Sequence, residues 1–354
     1  MRLRVRPMGL QDVENCVSLL ASHPEERRRY GTSLEQLPAA WRKLIRNESL
    51  TSAVLEDMDG GSSQIVAFGA AAFISDYFLR RLKTAPLLWI GPELTRRVIS
   101  GDSGVLSASG IREVNSKGGL SLIVWAATVS PPDCDARVHL ELWRAFFQVH
   151  MGYHIKELIC QPIDLGQVRG TIQAGLYQLS EDGQYADCGS QNCERLMENP
   201  FVIGGDRETA TQAFGSWFSQ LFSYTPPIIY FRPAEQRLIL AALSGLTDDE
   251  LSTELGLSLS AVKKTWLIVY DRAAAALPGE WPERPIEDTQ TRRGKEKKQH
   301  LLAYLRGHME ELRPVLPPRS GRRDGGAPMH GSEFEQNRSV TVAAPTRIYS
   351  PREF

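Results

Sequence analysis

Leu120–Gln161 reads LSLIVWAATVSPPDCDARVHLELWRAFFQVHMGYHIKELICQ. Leu120 to Val129 is apolar and rich in Ile, Val and Trp, the composition of a buried strand. Pro131 and Pro132 end it, because proline lacks an N–H and cannot continue a ladder. Val138, Leu142, Ala145, Phe146 and Val149 then recur at the spacing of one helical face over residues 137–150. Gly152 is placed to end that helix, and Ile155 to Gln161 resumes as a strand. A buried strand, a crossover helix and a second strand follow one another without a long loop.

Outward from this unit the same alternation continues. Leu3 to Arg6 reads as a short strand, and Asp12 is placed to cap a helix through Val13, Val17, Leu19 and Leu20. Thr51 to Glu56 and Gln64 to Ile74 form a hairpin candidate across the turn-forming DMDGGSS of Asp57 to Ser63. After about residue 205 the pattern changes to helix, turn and tail. Thr209 to Phe222 reads as one amphipathic helix with Ala213, Trp217 and Leu221 on a face, a linker or packing helix. The expected organisation is an α/β domain over residues 1–200, a linker helix over 201–227, a helical module over 228–278, a connector and basic helix over 279–316, and a disordered tail over 317–354.

The order strand, helix, helix, hairpin, buried strand, helix, strand resembles the GNAT acetyltransferase fold, a mixed sheet with helices. The opening RVRPMGLQDVENCVSLL, Arg4 to Leu20, resembles the start usual in that family. Active members carry a glycine motif between the buried strand and the next helix, where backbone amides reach the pyrophosphate of coenzyme A. The corresponding VSPPDCDARVHLE, Val129 to Glu141, has no glycine. The resemblance therefore implies a GNAT-like shell that has lost catalysis and serves sensing or dimerisation, with no enzyme activity, no cofactor and an unidentified small-molecule effector. The alternative is an acyl-CoA-dependent N-acyltransferase with an appended helical module.

Residues 245–265, GLTDDELSTELGLSLSAVKKT, hold the parts of a helix-turn-helix. Thr247 and Glu250 stand three apart as a capping box, Gly256 suits the turn, and Ser258 can cap the second helix. Leu251, Leu255, Leu257 and Val262 point to a shared core, which leaves Ser260, Lys263, Lys264 and Leu267 outward. The module resembles the LuxR/GerE-type DNA-binding domain without a gap: Pro233, Glu235, Leu238, Ile239, Gly245, Leu246, Glu250, Leu251, Leu255, Gly256, Val262, Lys263, Val269 and Tyr270 match its positions. That resemblance implies a transcriptional regulator whose recognition helix, about 259–272, enters the major groove of double-stranded DNA as part of a homodimer. Thr247, Ser258, Ser260, Lys263, Lys264 and Leu267 are the implied contacts; plain capping is the competing role for Thr247 and Ser258. A further reading makes the module a protein-interaction surface touching RNA polymerase.

Charge is unevenly placed. Residues 228–278 hold five basic against six acidic side chains, poor electrostatics for a DNA reader, and Trp266 and Leu267 occupy places where the family has polar groups. Residues 289–323 hold ten basic against three acidic, including Arg292, Arg293, Lys295, Lys297 and Lys298, and are expected to supply phosphate affinity or to form a solvated charged helix. The longest apolar stretch, Ile65 to Ile74, is too short to span a bilayer and the N-terminus lacks a signal-peptide core, so a cytoplasmic protein without membrane contact is expected. Five scattered cysteines, Cys16, Cys134, Cys160, Cys188 and Cys193, do not make a disulfide framework. His150 and His154 have ligand-like spacing, but Gly152 lies between them and no metal site is expected. Trp41, Trp89, Trp125 and Trp143 are expected in the core.

Overall fold

A computed structural model describes residues 2–59, 64–84, 89–102, 104–130, 136–179, 184–186, 200–213, 215–278 and 290–317. The Cys188 and Cys193 loop, residues 131–135 after the buried strand, and residues 318–354 of the tail lie outside the described residues.

The elements run β1 (Leu3–Arg6), α1 (Val13–Ala21), α2 (Pro24–Tyr30), α3 (Leu37–Arg46), β2 (Thr51–Asp57), β3 (Gln64–Ile74), α4 (Asp76–Thr84), α5 (Ile90–Ser100), α6 (Ala108–Lys117), β4 (Leu120–Val129), α7 (Ala136–His150) and β5 (Ile155–Cys160). They continue with α8 (Leu165–Gln173), β6 (Tyr177–Leu179), β7 (Tyr185–Ala186), β8 (Ile203–Asp206), α9 (Arg207–Gln212) and α10 (Trp217–Leu221), then α11 (Pro233–Leu243), α12 (Asp248–Leu255), α13 (Leu259–Ala276) and α14 (Gln290–Gly307). No described helix is long and apolar enough to cross a membrane.

The strands form one sheet in the order β1-β2-β3-β4-β5-β8-β6-β7. Strands β1 to β4 are antiparallel neighbours, and the β2–β3 register, Thr51↔Ala71 to Asp57↔Gln64, closes the hairpin expected from the turn residues. Strand β5 then joins β4 in parallel through the α7 crossover. The result is a mixed sheet with helices on both faces, in the element order expected from the sequence. One face is covered by α1, α2, α3 and α5, whose Leu20, Trp41 and Leu94 pack with Phe68, Ile123 and Trp125. Trp41 meets Phe68 and Trp125 edge-on at 5.6 and 6.5 Å, a geometry that adds about 1 kcal/mol per pair beyond area burial. The other face takes Val138, Leu142 and Ala145 of α7 against Leu55 and Ala67. Trp143 departs from expectation. It sits beside the Val138-Leu142-Ala145 stripe that faces the sheet, 38% exposed and against Phe146 and Phe147.

The stretch read as a linker helix is corrected in two respects. Ile203–Asp206 is strand β8, paired between β5 and β6. The following helix is two short ones: Asp206 and Thr209 form a capping box at the start of α9, Gly215 takes φ of 86°, and Ser216 caps α10 afresh. A left-handed glycine cannot lie inside one continuous α-helix.

Helices α11 to α14 share a separate apolar cluster of Leu238, Ile239, Leu251, Val262, Val269, Leu301 and Leu305. Helix α14 is the basic segment, and its Leu301, Leu302 and Leu305 are core residues. Met1–Leu316 nevertheless form one compact unit. The Glu311 carboxylate accepts the amides of Ile228 and Ile229 at 2.9 and 2.8 Å, tying both ends of the helical part together. Buried Arg313 donates to the carbonyls of Met151 and Gln148 at the end of α7, both at 2.7 Å, and lies 4.8 Å over the Tyr153 ring. Gly152, at φ of 82°, passes so close that a Cβ would strike the backbone of Met309 and Glu310. The chain therefore returns from the helices to strap them onto the sheet.

Candidate active site

The parallel pairing of β4 and β5 is short: Leu120↔Ile155, Ser121↔Glu157, Leu122↔Leu158 and Ile123↔Ile159. Two local features part the strands beyond it. Trp125 is an extra residue in β4, since Ala70 pairs with Ala126 and Ala71 with Val124, and a bulge bends the strand that carries it. On the other side β5 ends at Cys160 and Pro162, having no N–H, cannot extend the ladder. Residues Val124 to Val129 of β4 thus continue with no strand on their β5 side.

The direction of that free edge follows from one hydrogen bond. Ser130 donates to Val66 O at 2.7 Å, which makes Ala67↔Val129 a non-hydrogen-bonded pair. The backbone groups of Val129 and, by alternation, Ala127 therefore point away from β3 and into the fork. A cavity of about 600 Å³ occupies it. Its walls are small on the sheet, with Ala53, Gly69, Ala70, Ala71 and Ala127, and aromatic on α7, with Trp143 and Phe146.

Helix α2 closes the opposite end. Buried Arg29 donates to Trp125 O on β4 at 2.9 Å and lies 3.5 Å from Gln161 O just past β5, so one guanidinium bridges both sides of the fork. Tyr30 Oη donates to the same Trp125 carbonyl at 3.4 Å, and His23 Nε2 lies 2.8 Å from Val129 O. Gln161 Oε1 accepts the Ile90 amide at 2.8 Å, which holds the strand end against α5. Glu26, 1% exposed, lines the cavity one turn before Arg29. Its Oε2 and Arg29 Nε stand 3.5 Å apart and neither makes a hydrogen bond. Burial pushes the Glu26 carboxyl above the usual carboxylate range, with Arg29 and His23 opposing.

On the α7 side, His150 is buried with Nδ1 2.8 Å from Phe146 O and Nε2 2.8 Å from Thr51 Oγ1. Desolvation pushes the imidazole down to about 3, so it is neutral at pH 7. Nδ1–H donates to the Phe146 carbonyl, which leaves Nε2 as the acceptor facing the Thr51 hydroxyl. His154 stacks instead on Tyr224, with ring centroids 4.0 Å apart, so the two histidines serve different contacts. Among the described residues no group of His, Cys, Asp and Glu could hold a metal ion.

Coenzyme A, which the fold implies, meets a mixed fit. The β4 edge at Ala127 and the Val129 amide suits an extended, amide-bearing pantetheine arm, although the Val129 carbonyl already meets His23 Nε2, and the apolar walls suit an acyl group. The loop that would face the pyrophosphate carries Pro131 and Pro132 in place of glycines and lies outside the described residues.

The residues singled out for DNA are not in this cavity. Thr247 and Ser258 cap α12 and α13, accepting the amides of Glu250 and Ala261 at 3.4 and 3.2 Å. Ser260 Oγ lies 3.0 Å from Ser258 Oγ; Lys263 and Lys264 are exposed on α13, and Leu267 is 63% exposed beside them. Trp266 packs against a neighbouring helix: it is buried under α14, with Lys298 Nζ 4.9 Å over its ring and 2.7 Å from Asp248. Sequence reasoning missed Glu26, Arg29 and Gln161. The available signal was a run of acidic and basic residues, PEERRRY, that reads as an ordinary solvated helix.

No family model matches this sequence, and no curated protein matches it either. Several solved structures are similar in fold. One is described as histone acetyltransferase HPA2 and related acetyltransferase from Corynebacterium glutamicum, 10% identical, covering 58% of this chain and 96% of its own, with a TM-score of 0.33. A second is the PaiA N-acetyltransferase of Thermoplasma acidophilum in complex with coenzyme A, 8% identical over 58% of this chain and 99% of its own, with a TM-score of 0.32. A third is a mosquito arylalkylamine N-acetyltransferase-like protein, 12% identical over 58% and 100%, with a TM-score of 0.33. The expectation of a LuxR-type DNA-binding regulator without enzymatic activity is corrected accordingly. The similar structures are described as acetyltransferases, and a cavity of about 600 Å³ opens in the fork.

Proposed function

We propose that the protein is an acyl-CoA-dependent N-acyltransferase whose reaction takes place in the fork between β4 and β5. The observation that carries this reading is the β4 edge from Val124 to Val129, which no described strand pairs on its β5 side and which borders a cavity of about 600 Å³. Exposed strand edges are normally paired, covered or charged, and one left open inside a domain is a template for an extended ligand. The cavity lies in the size range of small-molecule sites, is mostly apolar, and has few convergent polar groups. Val129 and Ala127 would hold the pantetheine arm, which presents the thioester, while α2 supplies the polar groups at the acceptor end.

Titrating the full chain with acetyl-CoA and with longer acyl-CoAs by calorimetry tests the reading, together with thiol release on adding primary amines. Saturable binding and amine-dependent thiol release are expected. No binding at about 1 mM acyl-CoA, where even an affinity of about −4 kcal/mol would register, would overturn it.

A further inference from the structure

Helix α13 buries one side and leaves the other to solvent. Val262, Trp266, Val269 and Ala273 belong to the core of the helical part, whereas Ser260, Lys264, Leu267, Ile268, Asp271 and Ala275 are exposed. At about 100° per residue these six fall on one continuous stripe along the helix. At its middle stand two bulky aliphatic side chains, Leu267 at 63% and Ile268 at 42% exposure. The charges on the stripe differ from those around it. Glu235 is paired with Arg272 and Asp248 with Lys298, but among the described residues Lys264 and Asp271 have no ion-pair partner.

The stripe is symmetric about the peptide between Leu267 and Ile268. Counting outward from it, Leu267 is matched by Ile268, Lys264 by Asp271 and Ser260 by Ala275. A second α13 laid antiparallel about a two-fold axis at that peptide brings Lys264 opposite the partner's Asp271. Both residues lie about one turn from the axis and close to the midline of the stripe. On one side of the axis Leu267 meets the partner's Leu267, and on the other Ile268 meets the partner's Ile268. The short side chains of Ser260 and Ala275 let the helix ends approach.

We propose that this face of α13 is the interface of an isologous homodimer, with four aliphatic side chains at its centre and two Lys264–Asp271 pairs flanking them. A patch that is complementary to its own two-fold image, in charge and in apolar position, is what a closed dimer requires. A polyanion would instead meet the Asp271 carboxylate near the midline of the face and be repelled. One helix from each copy makes a small interface, so the dimer is weak, with a Kd on the order of 10 to 100 μM. Helix α13 takes no part in lining the cavity, and its pairing stands or falls apart from the acyltransferase reading.

Sedimentation equilibrium of the full chain tests the pairing, from about 5 to 300 μM protein in about 0.1 M salt, where exposed charge pairs still act. Wild type is expected to dimerise. Lys264→Asp and Asp271→Lys each turn both cross-axis pairs into like charges and should weaken the dimer about tenfold or more. The double exchange Lys264→Asp/Asp271→Lys restores both pairs in reverse and should return to within about threefold of wild type. Leu267→Asp sets two carboxylates face to face across the axis and should leave monomer only. Wild type that stays monomeric over the whole range would overturn the assignment, whether or not it binds duplex DNA or an unrelated protein. So would a dimer indifferent to all four variants, or a double exchange as weak as the single ones.

Discussion

The fork in the sheet and the core of the helical part solve opposite problems with similar amounts of apolar sequence. In the helices, Leu238, Leu251, Val262, Val269, Leu301 and Leu305 fill the interior, and polar groups are spent at the ends: Thr247 and Glu250 cap α12, Ser258 caps α13, and Glu311 takes two orphan amides. In the fork, small residues line the sheet, the space above them stays open, and Glu26, Arg29, Gln161 and His150 are carried inside. A filled apolar core maximises stability, whereas an open fork with buried polar groups gives up stability for a place where chemistry can happen. The helical part therefore fills its interior, and the sheet part keeps an open cavity lined by buried polar groups.

That contrast can be broken by truncating one leucine in each region. Leu301→Ala removes a fully buried side chain from a filled core and is expected to cost about 3 kcal/mol. Leu142→Ala enlarges an existing cavity and should cost only about 1 kcal/mol, since few packed neighbours are lost. Urea melts of both variants check this, and equal losses would mean that the fork collapses around its walls in solution.

His150 sharpens the comparison through pH. Its folded pKa, pushed down to about 3, lies below the ordinary value of 6.5. As pH falls from 6.5, the unfolded chain takes up a proton that the folded chain refuses. The stability His150 contributes is therefore present above 6.5 and is lost progressively towards 3, at up to about 1.4 kcal/mol per unit. His150→Leu is expected to start about 1 kcal/mol lower at pH 7, having lost the Phe146 carbonyl contact while Thr51 keeps its bond to Ala71 O, but to fall less steeply with acid. Parallel slopes for the two proteins would show that the ring is hydrated rather than buried.

The smallest effect is expected at Lys298. Its contacts with Asp248 and the Trp266 ring lie near the surface, and Lys298→Met should cost about 1 kcal/mol or less while keeping the aliphatic stem over the indole. A larger loss in a thermal melt would show that charge, and not only Leu301 and Leu305, seats α14.

Much of the frame was legible in one dimension. The hairpin around Asp57 to Ser63, the crossover helix behind Leu120–Val129, and the caps at Thr247 and Ser258 each depend on neighbours a few residues away, so local rules suffice. Two positions mark where they stop. Ile203–Asp206 is too short and glycine-rich to show an alternation, and it becomes a strand only because β5 and β6 offer it edges. Trp266 stands where packing against a neighbouring helix and exposure were both open, and its burial was decided by α14, whose Lys298 lies over the ring from beyond the connector.

For the candidate site the division is sharper. Sequence alone determined that Leu120–Val129 would be a buried strand joined by a helix to Ile155–Gln161, because hydrophobic period and proline placement act within a single segment. Only the tertiary structure decided that these two strands would part, that Arg29 from a charged heptapeptide would bridge them, and that Glu26 would be left facing the gap. The physical reason is that a cavity, and the desolvation of a carboxylate inside it, are properties of the space between segments, which no single segment encodes.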